Sequence, residues 1–435
     1  MPCKKILLAG LLSAFFSLTV VAQSTQTFTE KEVATTLSKL SADEMAGRQA
    51  FGSTIHLAAG FIADEFVKYL LQPLPGLTSH LQTFVMINSK PLESSKVTVG
   101  TDAVSAQNII SQTAEKKLKI TPASGYEVIR LNEGDNAMAT FRSIRGKKGN
   151  VLVLMHSSHE PFFIRVKQNA AARMKSETSI VFVLTAQSTA ETFDLVLDNE
   201  ITEVKLSNVA GMIPGKTKPN EYVIFSGHYD HIGIGKPNEK GDSIYNGAND
   251  DASGTTAVMM LAKHFATVGQ NERTIVFAAF TAEEVGGFGS QYFSKQLDPA
   301  KVVAMFNIEM IGTDSKWGTN SAYITGYEKT NMGEILQKNL LGSPFQFHPD
   351  PYPEQQLFYR SDNATLARLG VPAHTISTSK MDNEPHYHKA SDEVGTLDTK
   401  NMTEIIRAIA MSSKSIIAGL DTPNRVDPGQ LRSGN

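Results

Sequence analysis

The stretch TIVFAAF, residues 274–280, runs directly into TAEEVGG, residues 281–287. The first seven residues carry no charge and are rich in β-branched and aromatic side chains. That composition reads as a strand buried on both faces, the habit of a parallel strand inside an α/β sheet. Two adjacent glutamates, Glu283 and Glu284, stand where the strand emerges. Paired acids on a solvated loop are ordinary. At the end of a buried strand, one can bind a metal ion while its neighbour acts as a general base.

Working outward from there, Tyr222–Phe225, Val302–Ile308 and Ala373–Ile376 are further short apolar runs. Thr255–Phe265 has helical spacing between two of them. Glu30–Leu40 and Ile55–Leu71 read as helices, the second with Ala59, Ile62, Phe66 and Leu70 on one face, and Asn401–Leu420 reads as a final amphipathic helix. This alternation predicts the α/β class, with a central sheet flanked by helices. Residues 90–205 have a different character. Short apolar runs such as Val151–Met155 and Ser179–Leu184 alternate there with few clustered ionisable groups. The expected division is a principal domain over 23–89 plus 206–420, a strand-rich inserted accessory domain over 90–205, and a polar tail over 421–435.

The N-terminus reads as an export signal spanning 1–22. Lys4 and Lys5 precede an apolar run of 16 residues, Ile6–Val21, and Val20-Val21-Ala22 offers a small-residue cleavage site. The run is short of the roughly 20 residues a membrane span needs, and no other segment is long and apolar enough. The expected location is therefore outside the cytoplasm, periplasmic or secreted. Cys3 is the only cysteine and would leave with the signal. Disulfides, a thiol nucleophile and a cysteine-ligated zinc are then excluded, so a metal site must use His, Asp and Glu. Removal of the two lysines takes the formal charge from −3 to −5, which does not suit a nucleic-acid partner.

Four more motifs share the position of Glu283-Glu284, after or near a strand candidate, where open α/β sheets bind ligands. Gly227-His228-Tyr229-Asp230 follows the Tyr222–Phe225 run. His228 can ligate zinc and Asp230 can orient its imidazole. Asn249-Asp250-Asp251-Ala252-Ser253-Gly254 opens a helix, where acids serve equally well as caps. Asn307-Ile308-Glu309 ends an apolar run, and a buried carboxylate there needs a cation or a partner. His386-Tyr387-His388-Lys389-Ala390-Ser391-Asp392 lies near the C-terminus. Together they supply two histidines and three carboxylates, with one glutamate left over as base. That is the inventory of a two-metal hydrolase with nitrogen and oxygen ligands.

In the order and spacing of these motifs, and in the ADEMAGR stretch at Ala42–Arg48, the chain resembles metallopeptidase family 28, a family of di-zinc exopeptidases. The resemblance covers about 28–84 and 208–420. It implies a zinc-exopeptidase fold with a mixed central sheet, and two Zn2+ per chain. It implies that His228 and Glu309 serve the first zinc, that Glu284 and His388 serve the second, and that Asp250 bridges them. Glu283 would be the general acid/base, with Asp230 and Asp251 as outer supports and Tyr387 and Arg360 on the substrate. His386 competes with His388, but the family pattern of His, three residues, Asp fits only His388–Asp392. The Asp250–Asp251 bond is expected to be cis. Glu309 stands where many members have Asp, which leaves open a supporting role with Asp314 or water as ligand, and Asn363 stands where His is frequent. The 90–205 insert resembles a protease-associated domain.

The implied activity is removal of N-terminal residues from peptides or proteins. A carboxypeptidase or dipeptidase on the same scaffold is the first rival. A glutaminyl cyclase-like transferase and a non-enzymatic binding protein follow, opposed by the presence of His228 and of the full ligand set.

Overall fold

A computed structural model describes residues 27–144, 147, 149–169 and 172–431. The export signal read at 1–22 and the last four residues of the tail lie outside the described residues. In chain order the main sheet contains β1 (Leu81–Pro91), β2 (Phe193–Ile213), β3 (Lys218–His228), β4 (Arg273–Phe280), β5 (Val302–Ile308), β6 (Ser321–Ile324), β7 (Gln346–Pro349) and β8 (Ala373–Ser377). Their lateral order is β7-β6-β8-β5-β3-β4-β2-β1. Strands β4, β3, β5 and β8 run parallel to their neighbours in that series, while β2 and β6 join antiparallel, so the sheet is mixed.

Every residue of β4 is buried, because helices cover both faces. The two-residue period of the strands sorts side chains between two cores. Phe225, Ile275, Phe277 and Phe306 face a core shared with α1 (Glu30–Leu40), α2 (Ile55–Lys68), α3 (Gly254–Val268) and α4 (Thr399–Ser412). Ile224, Val276, Ala278 and Met305 face the other layer, with Phe293 and Leu366. Phe225 stacks on Phe306 with ring centroids 4.9 Å apart, at the centre of the first core. A glycine begins α3 because the helix passes so close to β5 that a Cβ on Gly254 would stand 2.0 Å from the Ile308 carbonyl oxygen.

Helix α1 carries a capping box, with Thr29 and Glu32 exchanging hydrogen bonds. Two helix expectations need correction at their ends. The helix from Ile55 stops at Lys68; Leu70 takes a left-handed conformation and is 88% exposed, while Leu71 fills the core position. The last helix breaks after Ser412, where the Ser412 and Ser413 hydroxyls bond back to the carbonyls of Ile409 and Ala410, and Leu420 is left exposed.

Between β1 and β2 the chain builds a four-stranded sheet ordered Ile109–Gln112, Ile180–Thr185, Val151–His156, Glu127–Leu131. Helices Ala137–Ile144 and Glu160–Asn169 accompany it. Apolar side chains on its two faces form separate clusters, around Leu152, Val183 and Leu195 and around Val153, Phe163 and Phe182. Strand β2 is 21 residues long. Its first part pairs with Lys96–Val99 and Lys117–Ile120, and its later part with β1 and β4. The β1–β2 ladder runs unbroken from Leu81↔Val209 to Pro91↔Asn199. Residues 90 and 205 therefore sit within one antiparallel ribbon that joins the two parts of the molecule.

Candidate metal centre

The carboxyl ends of β3, β4 and β5 deliver His228, the Glu283-Glu284 pair and Glu309 to one place, and the loop after β8 brings His388. The turn before α3 adds Asp250. Two groups of ligand atoms result, one of His228, Asp250 and Glu309 and one of His231, Asp250 and Glu284, each with its atoms within 4.8 Å of one another. Asp250 belongs to both.

His228 Nε2 lies 3.3 Å from Asp250 Oδ1. Its Nδ1 meets the main-chain carbonyl of Asp230 at 3.1 Å, while the Asp230 carboxylate is 3.8 Å away. This corrects the expected role of Asp230. Its backbone orients the imidazole, and its Oδ1 instead accepts the Glu283 backbone N–H at 3.0 Å, fixing the Glu283 loop.

The two aspartates divide their work. The Asp250–Asp251 bond is cis. Asp251 Oδ1 accepts from the N–H groups of Gly254 and Met310, and Oδ2 from that of His228, so the helix start, β3 and β5 are tied by one buried carboxylate. The capping reading thus belongs to Asp251, which leaves Asp250 free to face the histidines. Burial would raise the Asp250 carboxyl, but the imidazoles of His228 and His388 hold it well below the usual range. Asp392, three residues past Lys389, accepts from the Asn249 and Asp250 N–H groups at 2.8 and 3.0 Å, so it braces Asp250.

His388 Nε2 lies 3.2 Å from Asp250 Oδ2 and 3.3 Å from Glu284 Oε2. His386 instead places its Nδ1 3.0 Å from the Ser391 hydroxyl. Glu284 resists the upward push of burial and is lowered to about 2 by His231 and His388. Glu309 and Glu283 respond the other way. Burial dominates, nearby acids add to it, and Glu309 is raised to about 7 and Glu283 well above the carboxylate range. Glu283 belongs to neither group of ligand atoms. Asp314, the alternative to Glu309, is paired with Lys380 at 2.8 Å and joins neither group.

These residues fit a zinc-type ion. The donors are imidazole nitrogens and carboxylate oxygens. His228 Nε2 and Glu309 Oε2 are buried and have no hydrogen-bond partner, which is costly for polar atoms unless a cation takes them up.

Beside the centre a pocket is lined by Glu309, Met310, Tyr323, Arg360, Met381 and Tyr387 among others. Both expected substrate contacts, Tyr387 and Arg360, are therefore at one mouth. Asn363 is buried and structural, donating to the Phe358 and Ala373 carbonyls and accepting from Thr375.

Two residues were missed in the sequence. His231 completes His228-Tyr229-Asp230-His231, a second histidine one position past the motif as read. Arg48, fully buried, donates to the carbonyls of Tyr229, Leu40, Asn246 and Gly247. It clamps the His228 loop to the Asp250 turn. Its place at the end of ADEMAGR was the available signal, but only Leu40 is a near neighbour in sequence, and Tyr229, Asn246 and Gly247 lie 181, 198 and 199 residues away.

A profile of Peptidase family M28 matches residues 208–413. A probable zinc metalloprotease of Pyrenophora teres f. teres is 37% identical over 119 residues, 26% of this chain and 25% of that protein. Leucine aminopeptidase 1 of Neurospora crassa is 27% identical over 215 residues, 46% of this chain and 51% of its own. The chain thus spans between a quarter and about half of these relatives' lengths. In fold it is similar to BSAP, a zinc aminopeptidase from Bacillus subtilis, with a TM-score of 0.54 at 16% identity over 94% of this chain and 97% of that one. An aminopeptidase from Aneurinibacillus sp. strain AM-1 gives a TM-score of 0.51 at 16% identity, over 89% and 93% of the two chains.

Proposed function

Residues 208–413 belong to Peptidase family M28, and from that premise we propose that the chain is an exported di-zinc aminopeptidase acting on peptides or proteins. The observation that carries the reading is the pair of ligand groups sharing Asp250, with Glu283 left outside both. His228, Asp250 and Glu309 would hold one zinc; Asp250 and Glu284 would hold the other, with His388, 3.2 and 3.3 Å from them, as its imidazole in place of His231. Zinc bound there would lower the pKa of water toward about 7 and polarise the scissile carbonyl.

The protein's own groups do the rest. Glu283, whose backbone is fixed by Asp230, accepts the proton of the attacking water and returns it to the leaving amine. Burial raises the Glu283 carboxyl, the direction that favours a group which must hold a proton and give it back. The Tyr387 hydroxyl donates to the developing oxyanion, and Arg360 contacts the substrate at the pocket mouth. The order of charges and apolar residues in 1–22 supports export to the periplasm or medium. Residues 90–205 would be an accessory domain, carried on the β1–β2 ribbon.

The carboxypeptidase reading has one observation behind it. Arg360 lines the pocket, with a long hydrogen bond to Gln355 at 3.4 Å, and a guanidinium suits a terminal carboxylate. A panel of chromogenic aminoacyl substrates, N-blocked peptides and free dipeptides, with and without chelator, tests the proposal. Cleavage of unblocked N-terminal residues, abolished by chelator and restored by zinc, is the expected result. Cleavage of N-blocked peptides from the carboxyl end would contradict it.

A further inference from the structure

We propose that His231 is a positioning residue that holds the Glu284 carboxylate, with His388 as the imidazole ligand on that side; this rests on the two-metal reading above. The two histidines share the carboxylate oxygen by oxygen. His231 Nδ1 is 2.8 Å from Glu284 Oε1, whereas His388 Nε2 is 3.3 Å from Glu284 Oε2. Toward the shared Asp250 Oδ2 they differ again, His388 at 3.2 Å and His231 at 3.8 Å. His231 thus has a hydrogen bond to one oxygen of Glu284, and His388 sits between Glu284 and Asp250.

The setting of His231 is rigid. Its ring is buried, and its backbone N–H donates to the Arg48 carbonyl. The ring packs so closely on the turn before Asp250 that a Cβ on Gly247 would stand 2.5 Å from its Cδ2. Gly247 has φ of +54°, so glycine answers both the crowding and the backbone there. A fixed donor against one oxygen of a carboxylate sets the direction in which the other oxygen points. The count of ligands agrees. Asp250, Glu284 and His388 leave a position open, as hydrolytic zinc sites do, while a fourth protein ligand would give the closed set of a structural site.

The test is zinc uptake by the metal-free full-length protein, counted by native mass spectrometry, with affinities from competition against a chromophoric chelator. Wild type, His231→Ala, His231→Asn and His388→Ala are compared. Wild type should bind two equivalents, and a lower count overturns the two-metal reading and this assignment with it. His231→Ala should still bind two, the weaker one with affinity reduced about 10–100-fold, the range for a partner that supports a ligand. His231→Asn, whose amide can donate to Glu284, should recover most of that loss. His388→Ala should drop to one equivalent. If both His231 variants fall to one equivalent, His231 is a ligand. If His231→Ala binds both zincs within two-fold of wild type, it positions nothing.

Discussion

The two halves of the centre share Asp250 but are built differently. On one side His228 and Glu309 come from the ends of β3 and β5, and His228 is 1% exposed. On the other, Glu284 and His388 come from loops, and His388 is 38% exposed with φ of +54°. A strand end in a parallel sheet is held by ladders on both sides, whereas a loop is held only by what its side chains reach. The first half is braced by near neighbours, the Asp230 carbonyl on the His228 ring and the Asp251 carboxylate on the His228 and Met310 N–H groups, and the second by His231 against Glu284 and Asp392 behind Asp250. Glu283 stands between them, its loop anchored through Asp230 to the deep half.

The largest effect that would break this division of labour is on Glu283. Glu283→Gln should lower turnover about 10²–10⁴-fold while zinc content stays unchanged. Turnover within a few-fold of wild type would remove Glu283 as the base. Next comes the clamp that holds the two halves together. Arg48→Met should destabilise the fold by about 3–5 kcal/mol, since it strips a buried cation from four carbonyls and the surrounding acids. Equilibrium urea unfolding reads this, and a loss below 1 kcal/mol would show that the halves do not depend on it.

The comparison sharpens when each half is damaged alone. Glu309→Ala should lose the deep zinc and keep the other, while Glu309→Asp should keep partial occupancy. A limiting chelator should withdraw zinc first from the His388 side, the more exposed one. Crystals soaked for increasing times and read by anomalous scattering would show the order, and release from the deep side first would contradict it.

The smallest expected effect is on pH. Burial raises Glu309 and Asp230 to about 7 and Asp392 to about 6. The folded, metal-free protein then keeps protons that the unfolded chain releases near pH 4, so stability falls as pH rises from about 4 to about 7. His388 acts with the same sign at higher pH. Burial lowers it, but its bonds to Asp250 and Glu284 win and raise it to about 10, so its stabilisation is lost as pH rises through that value. Zinc should flatten both slopes. A metal-free protein that gains thermal stability between pH 4 and 7 would contradict the account.

What the sequence revealed follows the same contrast. The strand ends were legible because an uncharged run buried on both faces is a local signal, and β5 begins and ends where its residues predict. Asp250, Glu284 and His388 were named through the family's spacing. Long-range closure was harder to read. Nothing near Asp230 tells that its backbone, rather than its carboxylate, meets His228, because the carboxylate's partner, Glu283, is 53 residues away. In the sequence Arg48 reads only as part of a loop motif, since its acceptors are carbonyls, which any residue supplies. Helical periodicity puts Leu70 on the buried face and continues through Leu71, while the backbone has already turned at Leu70.

The central claim is that one carboxylate, Asp250, joins two zinc sites. Zinc equivalents measured by native mass spectrometry in wild type and in Asp250→Ala test it most directly, with circular dichroism confirming that the variant is folded. The account predicts two equivalents in wild type and loss of tight binding at both sites in the folded variant. A folded Asp250→Ala protein that still binds one zinc at wild-type affinity would show that the sites do not share it.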